Sequence, residues 1–463
     1  MGVPQEQAFS LADRFDLSKS HVLLNGTQAL VRLMLMQHAR DEKAGLNTAG
    51  FVTGYRGSPL GGVDLAMMKS DKLLKQNNIL FQAGLNEDLA ATAIWGSQQA
   101  EMRGEGKYDG VYALWYGKGP GIDRSGDVMR HGNMAGSSKF GGVVMAMGDD
   151  HTGESSTVLH QSDWAMVDAY IPVVSPAGVQ EILDYGLYAF ALSRFAGVWT
   201  GLKTMKDTVE VTSVVDGSPF RLNFVEPDFK MPEGGLNIRV GDTPVAQEAR
   251  MIDYKRFAAE AFSRANRMDR KIWGKPGAKI GFVAAGKNWL DLVHALALLG
   301  IDEVEADLLG ITTNKICQPF PKDMKTFQEW SEPLDLVVVI EEKRKLIEVQ
   351  VKEAIFDNRH GRRVIGWKHD RTGEEVFPTR YALDPVMIAE KLGGILIEEG
   401  RGTEGIRAGL DKLTAARRND NAPEIAVRTP WFCSGCPHNS STKVPEGSRA
   451  YAGIGCHYMV QWM

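Results

Sequence analysis

The chain reads as an α/β protein built from more than one domain. Short apolar runs alternate along it with segments whose apolar residues recur at helical spacing, which is the pattern of βαβ units. Several of those runs, GVYALWY and GGVVMAMG among them, are apolar almost throughout, as strands are when both faces of their sheet are covered. At 463 residues the chain also exceeds what a single core sustains, so two or three domains are expected.

The elements follow in order. HVLL, from His21, is a first short run, and Asn25, Gly26 and Thr27 supply a turn and cap for the helical spacing that follows. AGFVTGY, residues 49–55, is a second strand that runs into the glycine-rich stretch Arg56, Gly57, Ser58, Pro59, Leu60, Gly61, Gly62. From Asn86 to Met102 the spacing predicts a helix with Glu87 and Asp88 in its first turn, where the helix dipole favours acids. GVYALWY and GGVVMAMG are the next strands, and AGVWTGLK and DTVEVTSVV close this first region. A charged helical stretch over 247–277 precedes a fresh strand, AKIGFVAAG. A helix from Asn288, a strand ending in VVVIEEK, a helix from Lys345 and the strand RRVIGW complete a second α/β unit. From Glu398 to Pro430 the composition turns polar and rich in Gly, Ala and Arg, which suits a linker. The expected divisions are a first domain over 1–240, a linker helix over 241–276, a second domain over 277–400, a linker over 401–428 and a cysteine-bearing segment over 429–463.

A net charge of −5 gives no basic stripe and argues against nucleic acid as a partner. No stretch approaches the eighteen or so uninterrupted apolar residues of a membrane span. The opening residues lack the apolar centre of a signal peptide, and four cysteines are too few for a disulfide framework, so a reducing, cytoplasmic setting is expected.

Several stretches invite chemistry, each with a plainer alternative. The loop from Tyr55 to Gly62 follows a strand, where ligands of open α/β sheets collect, yet it lacks both the Walker lysine and the dinucleotide fingerprint and serves equally as a tight turn. Glu87 is either a dipole partner or, if partly desolvated, a group able to share a proton with a ligand nitrogen. Gly117 to Ser138 carries Lys118, Arg124, Arg130 and His131 among glycines and reads as a flexible cationic loop, suited to an anion or merely solvated. Asp149, Asp150 and His151 follow a strand; adjacent strand residues point to opposite faces, which favours cap and turn roles over a metal site. Cys433 and Cys436 have the C-x2-C spacing at which two thiolates converge on a metal, and Cys456 follows. His438 or His457 would complete a zinc site; a fourth thiolate for an iron–sulfur cluster leaves only Cys317, which reads better as a small buried hydrophobe.

Taken in order, LLNGTQALVRLML, GFVTGYRGSPLGG, FQAGLNEDLAATAIWGSQQAE, VVMAMGDDHTGESS, VVVIEEK and WFCSGCPHNSS…GIGCHY resemble the 2-oxoacid:ferredoxin oxidoreductases, and most of all the long fused form of indolepyruvate ferredoxin oxidoreductase, from about residue 20 onward. The resemblance implies a doubly wound, pyrimidine-type thiamine diphosphate domain, a transketolase C-terminal-like α/β domain, and the truncated start of a diphosphate-binding domain. It places Glu87 against the aminopyrimidine ring, with Asn86 and Gly57 beside the cofactor. There the carboxyl group favours the tautomer that removes the thiazolium C2 proton. YRGSP takes the place of the family's oxoacid-contacting loop, so Ser58 is expected to meet the substrate carboxylate; Arg56 departs from the usual proline, and Lys118 and Arg130 are weaker substrate contacts. Cys433, Cys436 and Cys456 match three ligands of a [4Fe–4S] cluster, while the fourth ligand and the Mg²⁺-binding acidic motif have no match. The implied reaction is oxidative decarboxylation of aryl-pyruvates to aryl-acetyl-CoA, with coenzyme A and ferredoxin as partners and a homo-oligomer as the assembly. The chain is then expected to be an N-terminal fragment, inactive alone; another 2-oxoacid, or a scaffold with structural zinc, are the alternatives.

Overall fold

Two parallel sheets carry the architecture of the computed structural model, which describes residues 10–154, 158–420, 431–453 and 456–461. In the first unit β1 (His21–Asn25) leads into a helix, Gly26–Lys43, whose capping box is closed by Asn25 and Gln28. Then come β2 (Thr48–Gly54), β3 (Ile79–Phe81), β4 (Gly110–Lys118), β5 (Val143–Asp149), β6 (Val173–Val174), β7 (Trp199–Met205) and β8 (Thr212–Asp216). Six of these form one all-parallel sheet in the order β3-β2-β4-β5-β7-β6. β1 stays outside it and pairs with β8 as an antiparallel ribbon, Leu23 opposite Val214. The helices Gly26–Lys43 and Val179–Ala196 bury Leu30, Leu33, Met34, Tyr188 and Phe190 over one face. Ala90, Ile94, Met129, Trp115 and Trp199 form a separate core over the other face. Covering both faces is what allows β4 and β5 to be apolar up to their last residues, Lys118 and Asp149.

The second unit adds β9 (Arg270–Lys271), β10 (Ile280–Ala285), β11 (Ile311–Ile316), β12 (Leu336–Ile340) and β13 (Arg363–Ile365). They are ordered β13-β12-β10-β11-β9, with only β9 antiparallel. The doubly wound α/β class read from the sequence is thus present in both units.

Three stretches differ from the sequence reading. Residues 117–138 are not a flexible loop but hold two helices, Gly119–Arg124 and Gly126–Ala135. Gly121 and Gly132 serve close approach: a Cβ on Gly132 would fall 2.4 Å from the Trp199 ring. Residues 404–420, expected within a linker, form a helix that packs on Pro385–Glu398, and Ile406 and Leu413 join the second core. β11 escapes a hydropathy reading because its middle is Thr-Thr-Asn-Lys, yet it is buried along its whole length. Thr312 Oγ1 donates to Trp273 O at 2.8 Å and Lys315 reaches Glu181, so the Thr312 and Lys315 side chains are partnered.

Backbone bonds join the units. Val173 N donates to Phe320 O at 2.7 Å and Ser175 N to Cys317 O at 2.9 Å, which lays the 317–320 segment along the β6 edge of the first sheet. Lys322 and Asp269, both buried, pair at 3.0 Å beside that seam.

Candidate functional site

The carboxyl edge of the first sheet gathers most of the residues singled out from sequence. Gly84 N donates to Gly54 O at 2.8 Å, and Tyr55 N to Tyr116 O at 3.0 Å, so the segments entering Glu87 and leaving β2 and β4 meet at one place. Asn86 caps the helix Glu87–Ser97 by accepting from Leu89 N at 2.8 Å, which fixes Glu87 as its first residue. The Trp115 indole donates to Glu87 O at 3.1 Å. Glu87 is half-buried, and its side chain occupies space that Gly121 leaves free: a Cβ there would lie 2.5 Å from Glu87 Cγ and 2.9 Å from Oε1. Gly57 serves likewise, with the Lys118 stem 2.9 Å from where its Cβ would stand. Arg56 and Ser58 are exposed on the same loop.

Arg130, on the helix Gly126–Ala135, is bound to Asp168, donating also to Asp168 O at 3.0 Å. Cys433 and Cys456 are exposed, while Cys436 is half-buried with Sγ 3.2 Å from His438 Nδ1. Cys436 N donates to Cys433 O at 3.0 Å, which shapes the C-x2-C turn. Among the described residues no group of three or more His, Cys, Asp and Glu side chains is placed to hold a metal ion. Cys317 is buried and bonds Tyr185 Oη at 2.8 Å, with burial pushing its thiol up to about 12, in keeping with its reading as a packed hydrophobe.

Ser58 and Pro59 also line a cleft of about 470 Å³ between the two units, together with Asp149, His151, Lys206, Lys287 and Leu383. Beneath it lies a buried charge network that the sequence reading passed over. Asp149 accepts from Ser162 N at 3.0 Å and from Ser162 Oγ at 2.5 Å; Lys203 pairs with Asp163 at 2.6 Å and stands 3.8 Å from Asp149. His151 is bonded through Nδ1 to Glu342 of the second unit. Burial works against the charge on Asp149, but His151 and His160 hold its carboxyl well below the usual carboxylate range. Burial likewise opposes Glu342, which the bond to His151 brings down to about 2. Asp150 alone fills the turn role expected for this stretch, accepting from Gly153 N at 3.0 Å and Glu154 N at 3.1 Å. The available signal was spacing: Asp149 and His151 stand two apart in GDDH, and both line the cleft.

Comparison with known proteins places this arrangement among relatives. Residues 270–420 match the profile of the family described as the indolepyruvate oxidoreductase domain. The chain is 24% identical over 432 residues to indolepyruvate oxidoreductase subunit IorA of Pyrococcus abyssi, covering 92% of this chain and 59% of that protein. The IorA subunit of Pyrococcus horikoshii is 25% identical over 434 residues, again covering 92% and 59%. The chain thus spans about three-fifths of the length of these curated relatives. A 2-oxoglutarate:ferredoxin oxidoreductase from Magnetococcus marinus shares the fold, with a TM-score of 0.56 at 13% identity over 81% of this chain and 65% of its own. The resemblance drawn from the ordered motifs is the one these comparisons find.

Proposed function

We propose that this chain, whose residues 270–420 match the indolepyruvate oxidoreductase domain family, is part of a 2-oxoacid oxidoreductase and forms the wall that holds the aminopyrimidine ring of thiamine diphosphate. The observation that carries the proposal is the placement of Glu87: half-buried, first in a capped helix, and at the same sheet edge as the Tyr55–Gly62 loop. A carboxyl group fixed in that way is the donor set the ring nitrogen requires, and the missing Cβ of Gly121 leaves its side chain room.

Thiamine diphosphate, when bound with Mg²⁺, supplies the nucleophilic carbon that adds to a 2-oxo group. The chain's own residues act around it. Glu87 shares a proton with the ring nitrogen. Asn86 aims Glu87 by capping its helix. Gly57 lets the loop backbone approach closely, with Lys118 packed over it. The Ser58 hydroxyl donates to the substrate carboxylate, and Arg56 adds positive charge at the rim. The substrate class is an aryl 2-oxoacid of the indolepyruvate type, with coenzyme A accepting the acyl group and ferredoxin the electrons, in a cytoplasmic homo-oligomer. Cys433, Cys436 and Cys456 are the thiols that would hold a [4Fe–4S] cluster.

The test is the assembled enzyme carrying Glu87→Gln, assayed for indolepyruvate- and coenzyme A-dependent reduction of ferredoxin. Loss of a general acid–base group lowers the rate by roughly 10²–10⁴-fold. Activity within about tenfold of the unaltered enzyme, in a variant that binds thiamine diphosphate normally, overturns the role of Glu87.

A further inference from the structure

The Asp149–His151–Glu342 contact spans the junction between the units, and nothing in the proposed chemistry uses it. His151 is 2% exposed. Its Nδ1 bonds Glu342 Oε1, and its Nε2 has no hydrogen-bond partner but stands 3.7 Å from Asp149 Oδ2. Each carboxylate is rooted in its own unit. Asp149 ends β5 and is held by Ser162. Glu342 Oε2 accepts from Asn288 Nδ2 at 3.1 Å and from Leu383 N at 2.9 Å, and Glu342 N donates back to Asn288 Oδ1 at 3.2 Å. His151 is the side chain that joins these two hubs.

We propose that Asp149, His151 and Glu342 form a protonation-dependent latch that holds the two α/β units together across their cleft. Only the imidazolium carries a proton on both nitrogens and faces a carboxylate with each. The neutral tautomer with the proton on Nδ1 keeps the Glu342 bond but turns a lone pair toward Asp149. The other tautomer loses the Glu342 bond.

The surrounding charges decide which form is held. Lys203 faces the site from β7, and Lys287 stands 3.5 Å from Glu342 Oε2. Each lysine is already paired, with Asp163 at 2.6 Å and with Asp291 at 2.7 Å. His160 Nδ1 lies 3.8 Å from Asp149, and Glu341 and Lys343 flank Glu342 on its loop. Burial and the Lys203 ammonium press the His151 pKa down, while Asp149 and Glu342 outweigh them and raise it. A histidine raised on folding contributes stability that is complete below its ordinary pKa and lost as pH rises through the folded value. The latch is therefore closed in mild acid and opens on the alkaline side.

The Leu383 and Glu342 amides donate into this network, so hydrogen exchange reads it directly. Exchange by mass spectrometry on the whole chain, corrected for intrinsic rates, should rise at least tenfold in peptides over 340–343 and 382–385 between about pH 6 and about pH 9. His151→Gln should exchange fast at both pH values, while His160→Gln keeps the step. Equal corrected exchange at both pH values in the unaltered protein overturns the latch, as does a step that survives in His151→Gln. Should that variant not fold, the His151 ring resonances of the unaltered protein take its place: they must titrate together with the exchange step, and titration apart from it also overturns the latch. None of these readings depends on thiamine diphosphate, so they separate the latch from the proposed activity.

Discussion

Glu87 and Gly121 share one small volume: the Glu87 side chain lies where a side chain on residue 121 would begin, with Cγ 2.5 Å from the position of that Cβ. The two come from different crossovers of the same sheet, after β3 and after β4. The glycine is thereby part of what aims the acid.

Replacing Gly121 by alanine should displace the Glu87 side chain without unfolding the short helix Gly119–Arg124, because alanine is a better helix former. The expected outcome is at least a tenfold loss of thiamine diphosphate affinity by calorimetry with a melting temperature little changed. Unaltered affinity would show that the aim of Glu87 does not matter.

Ser58→Ala removes one hydroxyl from the exposed loop that lines the interdomain cleft. A hydrogen bond to a charged group contributes about 1.5–3 kcal/mol, so KM for the oxoacid should rise roughly 10- to 100-fold with a smaller change in kcat. Steady-state kinetics with the oxoacid varied decide it; an unchanged KM removes Ser58 from the substrate site.

How much of this was legible beforehand depends on how local each signal was. The apolar runs of β4 and β5 and the cap at Asn25 are local, and they appear where expected. β11 was hidden because its Thr and Lys side chains are satisfied by residues outside their own strand, Trp273 and Glu181 among them. The stretch over 117–138 looked mobile because glycine has two uses, conformational freedom and close packing, and composition cannot separate them. For the network under the cleft, half of the signal lay in GDDH, while its partner Glu342 stands 191 residues further on, a separation that no periodicity bridges.

Arg194 grips Asp41 with both terminal nitrogens, at 2.6 and 2.8 Å, and Gln37 and Thr48 complete the carboxylate's shell at 2.8 and 2.7 Å. Neutralising one member of a buried pair leaves the other charge uncompensated. Asp41→Asn should therefore lower the unfolding free energy by about 3 kcal/mol, read as a fall in the urea midpoint at unchanged slope.

Lys255 is fully buried at the end of a π-helical turn and donates to Asn133 O and Met134 O, both at 3.2 Å. Burial, with Arg250 nearby, lowers its amine to about 7. The sign follows: a lysine lowered on folding penalises the folded state below its ordinary pKa, so stability should climb from pH 7 toward pH 9 by about 2 kcal/mol. Lys255→Met should abolish that climb. Denaturation at several pH values checks it, and a slope retained in the variant would assign it elsewhere.

The segment 317–320 lies against β6 and takes up the N–H groups of Val173 and Ser175. The first sheet therefore borrows its last edge from the unit that follows it. A protein cut between the two would present bare strand to solvent, an open template for pairing with its own copies. The first unit produced by itself should accordingly self-associate on light scattering, whereas the intact chain keeps that side closed. Seen this way, the second unit acts as a guard against fibrous growth, whatever else it contributes.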